Sequence, residues 1–389
     1  MEAITARRSA RRFGPALAAC TVAAILAAGA AAQEEGVQRA LRLEPGKGNP
    51  RNSEGAFVRL KDGRVMFAYT HFTGGSGDHA QAHLAARFSA DEGGTWTEKD
   101  AAVVPYEGGL NVMSVSLLRL KGGEIALFYL RKTSRTDCRP QLRLSRDEGK
   151  TWSEPRTCIP DAEIGYYVLN NDRAVQLKSG RMAGRIVLPV AQHHGPGQSK
   201  YDSRATMLCY LSDDGGKTWR RSRDARRAKS PEGKEVMLQE PGVVELKDGR
   251  LMMFCRTDAG SQYVSFSADG GDGWEELKPS TLISPLSPAS IKRIPKTGDL
   301  VAVWNDHANI DQKLKGKRTP LVAAVSKDDG KTWGKPKTIE GDPDGWYCYT
   351  AIEFVGDWVL LGHCAGDRRK GNGLATTQIT RMKVDWVYR

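Results

Sequence analysis

Six short polar clusters recur along the 389-residue chain, each just ahead of an apolar, alternating stretch: residues 51–54, 111–114, 170–173, 239–240, 287–290 and 347–349. They are rich in Asn, Asp, Arg, Glu and Tyr, more polar than packing needs. Arginine's planar fork meets a carboxylate through two parallel hydrogen bonds. Carboxyl groups move protons, and a tyrosine hydroxyl beside a carboxylate can act as a nucleophile. Gathered in one space, these residue types could carry out acid, base and nucleophilic steps on a negatively charged substrate. A water-lined channel is polar too, so composition alone leaves both readings open.

What could gather residues so far apart is a repeat. Five copies of Ser-x-Asp-x-Gly-x-(Thr or Gly)-Trp occupy residues 89–96, 145–152, 212–219, 267–274 and 326–333, with tryptophans 56, 67, 55 and 59 residues apart. Asp and Gly shape a tight turn, the hydroxyls bond local backbone, and the Trp folds back as an apolar plug. Beside the boxes run six hairpin signals, period-two apolar runs around a Gly turn, at 55–67, 115–128, 174–187, 243–254, 291–303 and 351–361. The period suits four strands plus loops, and the expected fold is an all-β, six-bladed β-propeller. In such a ring the first strand of every blade lines the central channel, which brings the polar clusters together. The sixth unit, from about Gly341, lacks a box. Residues 374–388 and 37–43 would complete it, joining the chain's two ends and leaving no long open sheet edge.

Residues 1–32 read as a secretory signal peptide: Arg7, Arg8, Arg11 and Arg12 form a basic head, 16–28 is apolar, and Ala30-Ala31-Ala32 offers a cleavage site. The sequence at Cys20 resembles a lipoprotein box, but the apolar run continues past it. The expectation is export to the periplasm or beyond, with 33–389 as one propeller domain. No other segment is long and apolar enough to cross a membrane. The chain carries a net charge of +12, and the leader, with four arginines and one glutamate, leaves +9. Such a charge favours anionic partners, for an exported protein acidic glycans or cell surfaces rather than nucleic acid. The densest basic run, 220–229, reads as a solvated loop. Cys348 faces Cys364 if the turn at Gly356 is symmetric, and Cys138 falls near Cys158; cross-strand disulfides and buried thiols both fit.

The boxes resemble the Asp-box of the sialidase superfamily, in which the box joins the third and fourth strands of a blade. That resemblance implies an exo-α-sialidase site, with roles assigned by matching positions. Asp78 closes Gly74-Gly75-Ser76-Gly77 eleven residues before Ser89, as the family's general acid does. Glu240, opening the fourth hairpin, matches the base, and Arg256, ending the next strand, a clamp arginine. Arg318, shortly before the fifth box, matches another. Tyr349 matches the nucleophile, with Tyr347 as the alternative. In such a site a phenol sharing its proton with a Glu avoids the repulsion that an anionic nucleophile would meet beside the sugar's carboxylate. Two departures stand out. The family's Arg-Ile-Pro motif in the first blade is replaced by Asn52-Ser53-Glu54-Gly55, so the first clamp arginine would be Arg51, two residues earlier and on the same face, or Arg173, and Glu54 would itself contact ligand. The family's Glu after the sixth hairpin is replaced by Gly362-His363-Cys364.

Two function classes follow: a retaining exo-glycosidase acting on sialic acid or a related acidic sugar, or a propeller that binds glycans or proteins without turnover. No cofactor is expected. The histidines 71, 79, 83, 193 and 194 fit no standard metal spacing, and the box loops lack the ligand series of a calcium loop. No Ser-His-Asp arrangement is readable.

Overall fold

In the computed structural model, strands begin one residue after the first described segment opens at Gly36; the structure describes Met1 and residues 36–389. The expected leader therefore lies outside the described residues. What is described is all-β, with only short 3-10 turns besides. Period-two alternation in the hairpin signals does what it should, packing alternate residues of each inner strand into the clusters of buried Val, Leu, Ile, Phe and Ala that fill the spaces between sheets.

Three antiparallel four-stranded sheets follow chain order. One runs Arg51–Arg59, Val65–Phe72, Ala82–Ser89, Ala101–Val104. Another runs Leu238–Glu245, Leu251–Thr257, Ser261–Ser267, Lys278–Ile283. The next runs Ser290–Arg293, Leu300–Asn305, Leu321–Ser326, Lys337–Glu340. A fourth unites the chain's two ends, Val37–Leu43 pairing with Thr377–Lys383, which pairs with Trp358–Asp367 and then Gly345–Val355. The second and third expected units share one nine-stranded sheet, joined where Tyr166 meets Cys138 in a parallel bridge. The inner strands touch their neighbours in order: Arg51–Arg59 contacts both Asn111–Arg119 and Gly345–Val355, which contacts Ser290–Arg293, which contacts Leu238–Glu245.

Each box sits where expected, after the third strand of its unit. Its Ser Oγ donates to the Asp two residues on and accepts from the Gly N–H four residues on, at 2.7–2.9 Å in all five copies. Trp96 packs against Phe57 and Phe67, and its Nε1 donates to Gly93 O. The basic run 220–229 is less solvated than its composition implied. Arg220 and Arg223 pair with Asp272 and Asp269 of the next box, and Arg226 donates to Trp274 O.

All six described cysteines are free, buried thiols. Cys348 does face Cys364. Two offsets cancel to put them there: the turn is centred between Gly356 and Asp357, and a bulge after Cys348 shifts the register back by one. Cys158 lies in the same buried cluster as Cys138 and docks its N–H on Pro140 O, two residues along that strand.

Candidate active site

The inner strands share an irregularity that positions the polar clusters. In four of them two residues oppose one on the partner strand: 54 and 55, 114 and 115, 240 and 241, 349 and 350. The first residue of every bulge is left-handed without being glycine: Glu54 (φ 53°), Ser114 (60°), Glu240 (51°) and Tyr349 (56°). Each such residue costs on the order of 1–3 kcal/mol, and such strain persists where the surroundings over-determine it, commonly at functional sites. The bulge breaks the in-out alternation and turns these four side chains toward the same region. Asn171 ties two bulges together, its Nδ2 donating to Gly55 O at 2.8 Å and Tyr349 O at 3.0 Å.

One half of the cluster is built on Glu240. Its Oε1 accepts from Arg256 Nη1 at 2.7 Å and from the Tyr349 hydroxyl at 3.1 Å, while Oε2 is buried without a partner. Burial pushes this carboxyl up, but Arg256 and Arg318, with the two hydrogen bonds, hold it below the ordinary value. It is therefore an ionised acceptor aimed at a phenol. Burial, reinforced by the Glu240 carboxylate, pushes the Tyr349 hydroxyl well above its usual range despite both arginines. Tyr349 keeps its proton until a base takes it, and the base in contact is Glu240. Arg318 completes this half, with its guanidinium 5.4 Å from the Tyr349 ring centre and 5.5 Å from that of Trp346.

The other half is a chain of charges on Arg51, which is 1% exposed. Its Nη1 donates to Asp78 at 2.6 Å and to Ser76 O, and its Nη2 to Glu54 at 3.1 Å and to Ser53. Glu54 also accepts from Ser114 Oγ. Burial raises the Glu54 carboxyl, an effect that Arg51 only partly offsets. Asp78 is different: its side chain is 60% exposed, and Arg51 overcomes the effect of burial and holds its carboxyl below the ordinary value. The Gly-rich loop is pinned by Asn111 and Lys132, which both donate to Asp78 O.

Of the nine candidates, the structure brings Asp78, Arg51 and Glu54 into one linked group and Glu240, Arg256, Tyr349 and Arg318 into another. It separates the two tyrosines: Tyr349 meets Glu240, whereas Tyr347 is buried in an apolar cluster against His363. Arg173 joins neither group, because its guanidinium donates to Ala289 O at 2.6 Å and Ser290 Oγ at 3.2 Å. Arg173 lines instead a cavity of about 1240 Å³ at the hairpin ends of the inner strands, away from the Glu240 group.

Two tyrosines that the sequence did not single out, with two histidines it considered only as metal ligands, form a wall near Asp78. Tyr201 stacks on His193 with ring centres 4.7 Å apart and meets Tyr166 edge-on at 5.5 Å, and His79 approaches Tyr166 at 6.4 Å. Tyr201 is 48% exposed, a large apolar face open to solvent. Burial holds His193 and His79 below the usual imidazole value, so both are neutral near pH 7.

A family model described as a BNR repeat-like domain matches residues 109–359. The chain is 27% identical to a sialidase of Micromonospora viridifaciens over 89% of its own length and 56% of that protein's. It is 25% identical to an anhydrosialidase of Macrobdella decora over 50% of its length and 22% of that protein's. The chain thus spans about half the length of the first relative and about a fifth of the second. Among solved structures, a Trypanosoma rangeli sialidase complexed with 2,3-difluorosialic acid superimposes with a TM-score of 0.69 at 16% identity, covering 92% of this chain and 60% of that one. The NanB sialidase of Streptococcus pneumoniae does so with a TM-score of 0.69 at 14% identity, covering 90% and 71%. At these identities the structural likeness is one of fold.

Proposed function

Because the chain belongs to the BNR repeat-like family, within the sialidase superfamily, we propose that it is an exported six-bladed propeller and a retaining exo-glycosidase, removing terminal sialic acid or a closely related acidic sugar from glycans. The observation that carries this reading is the Arg256–Glu240–Tyr349 contact: an ionised carboxylate within hydrogen-bond reach of a half-buried phenol, with two arginines beside it. Free nitrogens of Arg256 and Arg318 hold the sugar's carboxylate. Glu240 accepts the phenol proton as the Tyr349 oxygen attacks the anomeric carbon, and returns it as the intermediate breaks down. The phenolate forms only as it attacks, so the substrate's own negative charge does not repel a resident anion.

Asp78 is the general acid of this reading, and its pairing with Arg51 bears on how it works. In the ligand-free protein the ion pair keeps it ionised, which is wrong for an acid. An anionic ligand reaching Arg51 would displace Asp78, remove the charge that depresses its pKa and cover its exposed carboxyl from water, and both effects raise it. Arg51 would then be both a clamp residue and the group that arms the acid. The exposed face of Tyr201 offers a platform for the sugar or the group attached to it.

A second reading, binding without turnover, is favoured by one feature: all of Arg51's donors except the buried Nε are already engaged. Incubation with aryl α-glycosides of sialic acid and of hexuronic acids separates the readings. Release from the sialoside supports the proposal; release from uronides alone would move the substrate class; saturable binding with no release from either would establish the binding module.

A further inference from the structure

Arg318 differs from the other arginines of the site in its partner. Arg256 and Arg51 each face a carboxylate. Among the described residues, the one side-chain hydrogen bond that Arg318 makes is from Nη1 to Cys348 Sγ, at 3.1 Å. Cys348 is 1% exposed and lies opposite Cys364, also 1% exposed, whose Sγ is 3.8 Å from Ser53 Oγ. Thus the stretch of Trp358–Asp367 where the superfamily resemblance leads one to expect a Glu reads Gly362-His363-Cys364, and a pair of thiols lies between the Arg318 and Arg51 ends of the site. A half-buried guanidinium is held more favourably beside a counter-charge, and a thiol touching a guanidinium ionises more readily than a free one.

We propose that Cys348 is a titratable counter-ion and positioning residue for Arg318: its thiolate holds the guanidinium when no ligand is bound, and the ligand's carboxylate takes that role as Cys348 picks up one proton from solvent. Binding of an acidic sugar is then coupled to uptake of one proton. The inference rests on reading Arg318 as part of the carboxylate clamp. No bond other than S–H is made, and the charge beside Arg318 is conserved, one anion replacing another.

The surroundings are consistent with this. Burial pushes the Cys348 thiol up, but the hydrogen bond from Cys364 and the Arg318 charge bring it down to about 7, with Glu240 opposing them. Cys364 is pushed well up by that hydrogen bond and by burial, so it keeps its proton. The other charged or titratable groups facing the pair are Glu240 and Arg256, Arg51 and Glu54, Tyr349 on the same strand, His363 beside Cys364, and Arg368, which shares the Trp346 ring with Arg318. All are retained in a Cys348→Ser variant, so any pH dependence they cause persists there. If ligand binding returns Cys348 to its ordinary value of 9.0, affinity falls about fivefold per pH unit above 7, to about 25-fold by pH 9.

The test uses the mature protein and a non-hydrolysable α-thiosialoside. Without ligand, ultraviolet thiolate absorbance should show one step near pH 7 that Cys348→Ser abolishes and Arg318→Gln moves upward. Absence of that step overturns the proposal whatever the ligand does. With ligand, calorimetry in buffers of different ionisation heat should show uptake of about one proton near pH 8, lost in Cys348→Ser, whose affinity should be flat from pH 7 to 9. A wild-type affinity equally flat overturns the linkage. A clear thiolate step with no sialoside binding at any pH also overturns it, and in that case the fault lies in the substrate reading rather than in the Arg318–Cys348 pair.

Discussion

Replacing Glu240 with Gln isolates the proton transfer on which the mechanism depends. The amide oxygen of Gln can still accept from Arg256 at 2.7 Å and from Tyr349 at 3.1 Å, so the local geometry should survive. What is lost is the ability to take the phenol proton. Loss of a positioned base costs about 10²- to 10⁴-fold in kcat, which at about 1.4 kcal/mol per decade is roughly 3–5 kcal/mol of transition-state stabilisation. Ligand affinity should move the other way. Glu240 is an anion beside the clamp, and removing its charge leaves Arg256 and Arg318 more positive, so an anionic ligand should bind as tightly as before or more tightly. Steady-state kinetics on an aryl α-sialoside, with the Kd of the thiosialoside measured separately, read both effects. Truncation to Ala would confuse the result, because stranding a buried charge such as Arg256 costs about 3–5 kcal/mol in stability. A Gln variant with kcat within tenfold of wild type would remove Glu240 from the chemistry. A fall in kcat accompanied by equal loss of ligand affinity would mean that the site had collapsed.

Three further outcomes are expected. Tyr349→Phe should abolish turnover while leaving thiosialoside affinity within a few-fold, and retained turnover would reassign the nucleophile. Asp78→Asn should slow natural glycosides by about 10²- to 10⁴-fold and spare substrates with activated aryl leaving groups, a contrast read from kcat/KM on the two substrate types. Ser212→Ala should leave kcat unchanged and lower stability to urea by about 1–3 kcal/mol, because Gly216 N–H loses its buried acceptor at 2.8 Å; a fall in kcat without loss of stability would contradict a purely structural role for the box.

The fold was legible because its signals are local. A Gly turn between period-two runs and a Ser-Asp-Gly-Trp box are set by neighbouring residues, and strand pairing followed them down to the union of the chain's two ends. The joining of the second and third units into one sheet was not legible, since the Tyr166–Cys138 bridge links residues with no mutual sequence mark. In the site, the resemblance to the sialidase superfamily pointed to Glu240, Arg256 and Tyr349, but nothing in Glu54-Gly55, Ser114-Val115, Glu240-Pro241 or Tyr349-Thr350 announces a left-handed bulge. That backbone feature makes Tyr349 rather than Tyr347 the residue facing Glu240. Arg173 shows the reverse: its place in a polar cluster promised a ligand contact, while a backbone carbonyl, Ala289 O, and a hydroxyl, Ser290 Oγ, hold its guanidinium between inner strands. The Tyr166, His193 and Tyr201 wall comes from separate strands and a loop, and no spacing links them.

Mixing the mature protein with an α-linked sialoside and following the released sugar by NMR from the first minutes tests turnover through an intermediate on Tyr349. The α-anomer should appear first and convert to the β-anomer later; first appearance of the β-anomer, or no release from any acidic glycoside, would rule such turnover out.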